Sequence, residues 1–468
     1  MYDYTIIGGG PSGIFCADKL SFLGYNVCLI ESHETLGGCH RVRYTQNKIR
    51  NSQDLVHTEH GPRIYLGSYL DFWKWIQEVD VHKEKHFSEY QFDMVSKDFL
   101  SFIFMFRIHE FIAIAFAYCI QCITPFRFSN TYTVDHFMDT MLFSKEGKDR
   151  LNRICRLIDG GNTNKTLMSA LLNGFDVGMV YKIFEPNEPL DTLLWKRFQK
   201  KLQSQNVEIL LKTNVLSINK GSVITDSIDI KTKKIICAIP PAAIQEIKHA
   251  PYFLGYQSDE FRRLSSFQQY EPYICATVEF LQQSPVKEWG IADEHPWGMI
   301  AIDMGNYFTN VKGSLFIVSI THPEKIDPKT NKSANNMNGN EFLNRIVELV
   351  RKRFQMNQFP IKKTLSPNVK KVNGRWIESD RAFLLSPPGW LQPDMSISNK
   401  HQIWTTGHHI GNTFHEYNSM ESAIQNAATL LNQIEPKFSY QISKPNTFSK
   451  IIIKIIFFLC LLMIIRCR

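Results

Sequence analysis

Short apolar runs separated by glycine open the chain and predict a strand–helix–strand unit. Residues 4–7 and 27–30 are continuous runs of apolar or β-prone residues, as in strands buried on both faces. Between them, residues 11–23 have the length and composition of a helix, which Gly24 ends. Two strands joined by such a helix lie parallel in one sheet. The opening of the chain therefore predicts an α/β domain.

The middle of the chain changes from helical to mixed periodicity. Residues 69–76 and 151–157 carry apolar side chains at helical spacing. Further on, the apolar runs at residues 273–280 and 314–320 predict strands, and residues 340–354 predict a helix. We therefore expect a mostly helical insert followed by a mixed segment of strands and helix.

Two strongly apolar stretches raise the question of membrane contact. Residues 451–465 are apolar except for Lys454, and they follow a polar segment, residues 435–450, that predicts a linker. We predict that this tail is a helix that anchors the chain in a membrane, although it is shorter than the ~20 residues that span a typical bilayer. The alternative is a terminal helix packed on the body or on a partner. Residues 102–123 include Glu110, which favours core packing, with contact to one membrane leaflet as the alternative.

Composition restricts the class of protein. The chain has 468 residues, of which 44% are hydrophobic, enough for two domains with cores. The net charge of +8 comes without a basic run interleaved with aromatic residues, so nucleic acid is not an expected partner. Ten scattered cysteines favour a reducing compartment. Cys119 and Cys122 lack a second pair or a nearby histidine, so we expect no metal site. Residues 1–7 are predicted as a strand, so we also expect no signal peptide.

The glycines after the first strand fit a dinucleotide-binding fingerprint. Gly8, Gly10 and Gly13 stand at the G-x-G-x-x-G spacing. They allow a tight turn, close approach of the backbone to a pyrophosphate, and close packing of helix on strand. Pro11 and Ser12 begin the helix, whose N-terminal amides would face the phosphates.

The residues after the second strand narrow the choice of dinucleotide. Glu31 ends that strand, where a carboxylate accepts hydrogen bonds from ribose hydroxyls. Gly37 and Gly38 resemble the second glycine pair of the flavoprotein superfamily of amine oxidases, protoporphyrinogen oxidases, phytoene desaturases and UDP-galactopyranose mutases. In that family an arginine follows the pair along the flavin diphosphate. Here Cys39 takes its place, and we expect Arg41 to bind the anion. The resemblance implies FAD as the cofactor.

Further stretches resemble the same family in the same order, so the resemblance spans most of the chain. Gly61 and Arg63 belong to a Gly-Pro-Arg segment, which in protoporphyrinogen oxidases lies against the isoalloxazine ring. Val215 stands on a short strand where the family contacts the adenine through its backbone. The resemblance thus implies that these three residues border the cofactor, with bidentate binding of a substrate carboxylate as the alternative for Arg63.

The stretch from Gly407 to Met420 resembles the last flavin segment of the family. Ser419 is a favourable N-cap, so we expect a helix to start near Met420 with its positive end facing the flavin. His408 stands where the family has an acidic residue that contacts the ribityl chain. We expect His408 to make that contact.

The resemblance also implies a division into domains. The FAD-binding domain would be assembled from residues 1–70, 192–250 and 396–434, and the substrate domain from residues 71–191 and 251–395. The predicted fold class is therefore α/β: a Rossmann-type FAD-binding domain with an inserted helical and mixed-sheet substrate domain, plus the C-terminal hydrophobic tail helix.

The function that follows is a membrane-anchored, FAD-dependent oxidoreductase. It would transfer a hydride to the flavin from a C–H bond of a small-molecule substrate. Amine oxidases place an aromatic residue where this chain has Ser419, and the lysine that many of them carry on a strand is missing from residues 270–275. We therefore expect a hydrophobic substrate other than a simple amine. The sequence does not identify catalytic side chains. The alternatives are a reduced-flavin enzyme of the UDP-galactopyranose mutase type and a binding protein similar to the Rab GDP-dissociation inhibitors.

Overall fold

The computed structural model describes most of the chain. The described residues are 1–46, 55–58, 61, 63–90, 106–124, 126–129, 131–159, 161–264, 273–286, 295–307, 311–378, 393–411, 413–415 and 419–455. Parts of three expectations lie outside them: Pro62 of the Gly-Pro-Arg segment, residues 102–105 of the internal apolar stretch, and residues 456–465 of the predicted tail.

Strands and helices occur throughout the described parts of the chain. The strands are β1 Tyr2–Ile7, β2 Val27–Ile30, β3 Arg43–Gln46, β4 Leu55–Thr58, β5 Tyr65–Leu66, β6 Phe87–Tyr90, β7 Ile183–Pro186, β8 Glu208–Leu210, β9 Val215–Asn219, β10 Ser222–Thr225, β11 Asp229–Cys237, β12 Ile274–Glu279, β13 Met299–Asp303, β14 Leu315–Ile320, β15 Ile326–Asp327, β16 Lys332–Ser333, β17 Lys362–Leu365, β18 Val369–Val372, β19 Arg375–Glu378 and β20 Ile403–Thr405. The helices are α1 Pro11–Phe22, α2 Leu70–Gln77, α3 Lys83–His86, α4 Ile108–Tyr118, α5 Val134–Thr140, α6 Lys145–Asp159, α7 Met168–Gly178, α8 Lys196–Ser204, α9 Pro241–Glu246, α10 Ala250–Phe253, α11 Asp259–Leu264, α12 Gly339–Arg353, α13 Met395–His401 and α14 Met420–Ile434. Turns of π-helix occur at Cys119–Ile123 and Asp191–Trp195, and 3-10 turns include Gly38–His40 and His408–Ile410.

A seven-stranded sheet carries the glycine-rich turn. Its order is β8-β2-β1-β11-β10-β9, with β20 beside β11. Strands β8, β2, β1, β11 and β20 run parallel, and Ile6 pairs with Leu29 on one side and with Ile236 on the other. Parallel strands end at one edge of a sheet, so the loops after β1, β2, β11 and β20 meet there. The beginning, middle and end of the chain all supply strands to this sheet, while the predicted domain limits stay predictions.

Helices α1, α2 and α14 cover one face of this sheet. Their apolar sides are buried against it and against each other, as shown by Phe15, Leu20, Trp75, Ile424 and Leu431. The opposite face is covered by a second core that includes α9 and α10. Both faces of the central strands are therefore buried, which is why β1 and β2 are continuous apolar runs.

A second sheet forms the centre of the inserted mixed segment. It is antiparallel, with the order β13-β14-β12-β17, and α12 packs on it. Trp297, Phe316, Phe342 and Val350 are buried in this core. Strands β12 and β14 and helix α12 lie where the apolar runs predict them.

Helices α4 to α7 form the helical insert around a smaller core. Leu151 and Ile154 of α6 point into it, as their spacing predicts. Helix α4 is unusual because it buries Glu110, whose carboxylate accepts the N–H of Ser144 at 2.7 Å, while Ile112 on its other side is exposed. The internal apolar stretch thus packs on the insert and also presents an apolar surface to solvent.

The segment after α14, residues 435–450, makes hydrogen bonds to the body. Asp71 accepts the backbone N–H and the hydroxyl of Ser443 at 2.9 and 2.7 Å. Asp176 accepts the same two groups of Ser449 at 2.7 and 2.6 Å. The predicted linker is therefore fastened to the body at two points.

The predicted tail begins as a helix. Residues 448–455 are helical, and the rest of the apolar run lies outside the described residues. Within the described part of the chain, helices of the length and hydrophobicity needed to cross a bilayer do not occur. The membrane anchor therefore stays a prediction.

Candidate cofactor site

The turn after β1 is built from contacts that only glycine permits. Gly8 has a φ of +106°, and a Cβ there would lie 2.5 Å from the carbonyl oxygen of Ala238. A Cβ on Gly13 would lie 1.9 Å from the carbonyl oxygen of Gly8. The first and third glycines of the fingerprint are therefore required by the turn itself and by the close packing of α1 on the sheet.

Backbone N–H groups beside this turn are available to a ligand. Those of Gly10, Ser12, Gly13 and Gly38 have no hydrogen-bond partner among the described residues. Gly10 and Gly38 face each other, since a Cβ on Gly38 would lie 3.1 Å from the Cα of Gly10. Converging N–H donors at the start of a helix attract anions, because the helix end carries a partial positive charge. This arrangement fits the diphosphate of a dinucleotide.

Glu31 is buried beside the glycine turn. Its Oε2 accepts the N–H of Gly9 at 2.7 Å, and its Oε1 accepts the N–H of His33 at 2.9 Å. The Nη1 of Arg41 lies 3.6 Å from Oε1. Burial lowers the pKa of the Arg41 guanidinium, and the charge of Glu31 opposes that fall. The arginine expected to bind the diphosphate therefore lies beside the carboxylate expected to bind the ribose.

The second glycine pair lies on a loop, residues 37–41, which we call the 37–41 loop. The N–H of Gly37 donates to the carbonyl oxygen of Gly9 at 2.7 Å, which joins this loop to the glycine turn. The Nη2 of Arg63 donates to the carbonyl oxygen of Cys39 at 2.7 Å. Arg63 was expected to border the flavin, and the structure shows it supporting this loop.

Trp195 is a residue of this site that sequence reasoning missed. Its Nε1 donates to the carbonyl oxygen of His40 at 2.9 Å. Its indole also lies against Gly37, where a Cβ would come within 2.5 Å of Nε1. The hydrogen bond joins positions 155 residues apart, and no motif in the sequence marks such a contact.

Val215 lies near the Glu31 corner. The N–H of Thr213 donates to the carbonyl oxygen of Glu31 at 3.0 Å, and the N–H of Lys212 donates to that of His33 at 2.9 Å. Val215 begins β9 just beyond these bonds. The predicted contact with adenine requires Val215 to lie near Glu31, as it does. The contact itself stays a prediction.

The N-terminus of α14 meets that of α1. Ser419 caps α14 by accepting the N–H of Ser422 at 3.1 Å, and Met420 is the buried first residue of the helix. The predicted start and cap of this helix are confirmed. The hydroxyl of Ser12 donates to the carbonyl oxygen of Ala423 at 2.8 Å. The N–H of Ser12 therefore stays available, while its side chain joins the two helices.

Gly407 and His408 follow β20 at the same edge of the sheet. Gly407 has a φ of +145°, and Asn426 of α14 donates to its carbonyl oxygen at 2.9 Å. His408 is half-buried in the next turn, and His409 is fully buried. Burial, with a smaller effect of His408, lowers the pKa of His409 to about 3, so its ring is neutral at ordinary pH. The expected ribityl contact of His408 stays a prediction.

His415 lies apart from this pair. Its Nε2 is 3.4 Å from the carbonyl oxygen of Ser68, and its ring packs edge-on against Tyr69 at 5.0 Å between centroids. Burial lowers the pKa of His415 to about 4. The described residues contain no group of three or more histidine, cysteine, aspartate or glutamate side chains that could hold a metal ion.

Apart from Val215 at the start of β9, the predicted site residues fall into two groups along one edge of the sheet. The group at the glycine turn holds Gly8, Gly10, Pro11, Ser12, Gly13, Glu31, Gly38 and Arg41. The group at the start of α14 holds Gly407, His408 and Met420. Arg63 supports the first group, and Gly61 is buried just before it in the chain. Their roles toward a cofactor stay predictions.

Comparison by sequence finds likeness at the N-terminus and over one short stretch. Residues 6–79 match the family described as the NAD(P)-binding Rossmann-like domain. A stretch of 49 residues is 45% identical to ferredoxin–NADP reductases of two Streptococcus agalactiae strains. That stretch is 10% of this chain and 15% of each reductase, so the chain matches only a small part of these relatives.

Comparison by structure finds likeness over nearly the whole chain. A protein from Exiguobacterium sp. 255-15 that is assigned as a protoporphyrinogen oxidase matches with a TM-score of 0.60 and 14% identity. Putrescine oxidase with bound putrescine matches with 0.61 and 12%, and cyclohexylamine oxidase from Brevibacterium oxydans IH-35A with 0.59 and 12%. Each match covers 93% of this chain and 99% of the other. The chain has the fold of these oxidases.

The fold implied by the resemblance to these flavoproteins is thus confirmed. The predicted fold class is confirmed as a mixed α/β arrangement with a Rossmann-like domain and further sheets.

Proposed function

We propose that the protein is an FAD-dependent oxidoreductase that removes a hydride from a C–H bond of a small hydrophobic molecule. The observation that carries the proposal is the set of available N–H groups at Gly10, Ser12, Gly13 and Gly38, next to the buried carboxylate of Glu31. These donors suit a diphosphate, and the carboxylate suits a ribose. The oxidase fold supports FAD as the dinucleotide.

The residues on the chain would bind and orient this cofactor. When bound, FAD supplies the hydride acceptor. The N–H groups around Gly10 would hold the diphosphate. The N-terminus of α14 at Met420 would place its positive end near the ring, where it stabilises negative charge. His409 is neutral because it is buried, so it shapes the turn after Gly407 without adding a charge.

We also propose that the C-terminal tail holds the protein to a membrane, with the body in a reducing compartment. Support comes from the sequence of residues 451–465, which is apolar except for Lys454, and from the helix that has already begun at residue 448. Lys450 and Arg466 flank the run and suit the charged surface of a bilayer.

A second apolar surface adjoins the start of the tail. Ile108, Ile112 and Phe116 lie along one side of α4 and are 81%, 58% and 62% exposed. Tyr118 of the same helix donates to Asp176, the carboxylate that also binds Ser449. The two surfaces are therefore neighbours, which supports contact of both with the same membrane.

The cofactor can be tested with two glycine variants. A Cβ on Gly10 has no heavy atom nearer than 3.8 Å, so Gly10→Ala leaves the fold intact while its methyl group occupies the approach to the N–H groups. Gly178→Ala is the matched control, because its Cβ would lie in open space. We expect the wild type and Gly178→Ala to carry flavin that acid precipitation releases, and Gly10→Ala to lose it without a change in thermal stability.

A purified wild type that shows no flavin absorbance, even after incubation with FAD, would contradict the proposal. Equal flavin content in Gly10→Ala and the wild type would show that the diphosphate lies elsewhere. Anaerobic bleaching of the flavin by a substrate panel then distinguishes an oxidoreductase from a mutase or a binding protein, since only the first is reduced by its substrate.

A further inference from the structure

Two buried side chains hold the 37–41 loop from behind, at successive carbonyl groups. Arg63 donates to the carbonyl oxygen of Cys39 at 2.7 Å, and Trp195 donates to that of His40 at 2.9 Å. Arg63 is 3% exposed and Trp195 is 2% exposed. Water therefore has little access to replace either donor.

The N–H sides of the same peptide groups are also fixed. The N–H of His40 donates to the carbonyl oxygen of Gly37 at 3.0 Å, and the N–H of Arg41 donates to that of Gly38 at 3.2 Å. The two peptide groups are thus bonded at both ends, and their planes cannot rotate without breaking a bond. The N–H of Gly38 stays available, and the side of Gly38 that would carry a Cβ lies against Gly10.

The indole of Trp195 also fixes where the loop begins. Gly37 has a φ of +117°, and its missing side chain lets the backbone lie on the indole ring. The π-helical turn Asp191–Trp195 inserts one residue before α8, and such insertions shift the direction of a side chain relative to the following helix. The position of the indole therefore depends on this turn.

This chain needs such support because its loop lacks the usual cation. Cys39 stands where the resembling family has an arginine, and the guanidinium of Arg41 is directed to Glu31. Recognition of a diphosphate at this loop must then rely on backbone N–H groups, which work only when the loop is held in place.

We propose that Trp195 and Arg63 are positioning residues of the cofactor site. They hold the 37–41 loop so that Gly38, with its available N–H, is fixed beside Gly10 before FAD binds. The inference rests on the proposed function, since FAD is the ligand that the loop would receive.

The test compares Trp195→Phe with Trp75→Phe in the full-length chain. Trp195→Phe keeps a ring on Gly37 and removes the donor to His40. Trp75 is 1% exposed in the same core, and its Nε1 has no hydrogen-bond partner among the described residues, so Trp75→Phe removes a similar volume and no such bond. Hydrogen exchange of the loop amides is measured on flavin-free protein, and the FAD dissociation constant by flavin fluorescence.

We expect Trp195→Phe to speed exchange at His40 and Arg41 and to weaken FAD binding about fivefold, the usual effect of losing one hydrogen bond. Arg63→Lys, which keeps the charge and shortens the reach to Cys39, should do the same. Trp75→Phe should lower the thermal midpoint and leave loop exchange and FAD affinity at wild-type values.

Wild-type loop exchange and wild-type FAD affinity in both Trp195→Phe and Arg63→Lys would overturn the inference. So would equal changes in Trp75→Phe, since the effect would then belong to the core as a whole. A wild type that binds no FAD would instead refute the proposed function, while the exchange rates would still show whether the two residues order the loop.

Discussion

At the scale of single residues, Glu31 is bonded on both carboxylate oxygens within the protein itself. It accepts the N–H groups of Gly9 and His33 and lies beside Arg41. Removing the carboxylate would take from the buried guanidinium of Arg41 the acidic group that acts on it most strongly, and breaking a buried ion pair costs on the order of 3 kcal/mol. The free energy of unfolding and the cofactor affinity should therefore both decrease. The sequence alone predicts a loss mainly of cofactor affinity.

We predict that Glu31→Ala lowers both the free energy of unfolding of the flavin-free protein and the flavin content. Glu31→Gln should keep more of the stability, because its amide oxygen can still accept one N–H. Denaturant unfolding and flavin absorbance measure the two effects. Wild-type flavin content in Glu31→Ala would show that Glu31 is not the ribose ligand.

Three buried titratable groups predict a maximum of stability near pH 6.5. Burial lowers the pKa of His409 to about 3 and of His415 to about 4, from an ordinary value of 6.5. Below pH 6.5 the unfolded chain binds protons that the folded chain does not, so stability falls as pH falls. Burial raises the pKa of Glu421 to about 8 from 4.5. Above pH 4.5 the folded chain keeps a proton that the unfolded chain loses, so this group lowers stability as pH rises toward 8. At pH 6.5 the two histidines are half protonated in the unfolded chain, and together they bind as much proton as Glu421 keeps in the folded chain. The unfolded and folded states then bind equal numbers of protons, so stability is at its maximum at this pH.

Glu421→Gln tests the alkaline side of this curve. The Oε1 of Glu421 accepts the N–H of Asp71 at 3.0 Å, and its Oε2 accepts the N–H of Phe72 at 2.7 Å. The amide of the variant is neutral at every pH, and its one oxygen would accept one of these two N–H groups. Denaturation midpoints measured from pH 5 to pH 9 should decline above pH 6.5 in the wild type and decline less in the variant. The same decline in both proteins would mean that Glu421 is ionised in the folded state.

At the scale of elements, residues 435–450, which we call the strap, are hydrogen-bonded to the body at two points. Asp71 lies on α2 and Asp176 on α7, and each accepts the N–H and the hydroxyl of one serine, Ser443 and Ser449. Hydrogen bonds to a charged group contribute about 1.5–3 kcal/mol each. The strap therefore joins α2 to α7 of the helical insert.

We predict that two truncations behave differently. A chain ending at residue 450 keeps both serines and should retain wild-type stability and flavin while losing membrane association. A chain ending at residue 434 loses both fastenings and should unfold at a lower denaturant concentration. Membrane pelleting and urea unfolding measure the two properties. If the chain ending at residue 450 still pelleted with membranes, the exposed side of α4 would become the anchor.

The strap and the 37–41 loop show what the sequence could and could not predict. Local patterns predicted β1, α1 and β2, the glycine turn and the cap at Ser419, because each depends on residues close together in the chain. The polar composition of residues 435–450 predicts a linker. Polar residues that bind a segment to the body have the same sequence pattern as those of a free linker, so the bonds of Ser443 and Ser449 could not be predicted. The contact of Trp195 depends on how distant elements pack, and periodicity carries no information about that.

At the scale of the whole molecule, the mixed segment also contributes to the core beside the cofactor site. The N–H of Leu190 donates to the hydroxyl of Tyr307 at 3.0 Å, and Met304 and Tyr307 are buried in the core of the large sheet. The two sheets are therefore joined through packed side chains.

The final prediction concerns the substrate that this site accepts. Amine oxidases of the resembling family offer an aromatic face at the position before the last flavin-binding helix, where an amine gains ~0.5–2 kcal/mol by cation–π contact. Here that position is Ser419, which is 8% exposed and whose hydroxyl both accepts the N–H of Ser422 and donates to its Oγ at 2.9 Å. The side chain is used by the cap of α14 and offers no aromatic surface.

We therefore expect benzylamine, putrescine and cyclohexylamine to reduce the flavin far more slowly than enzyme turnover requires, measured by anaerobic stopped-flow absorbance. Hydrophobic substrates presented in vesicles should reduce it faster, if the exposed apolar side of α4 and the tail bring the site to a membrane. Rapid bleaching by any of the three amines would show that the amine is recognised without that aromatic face.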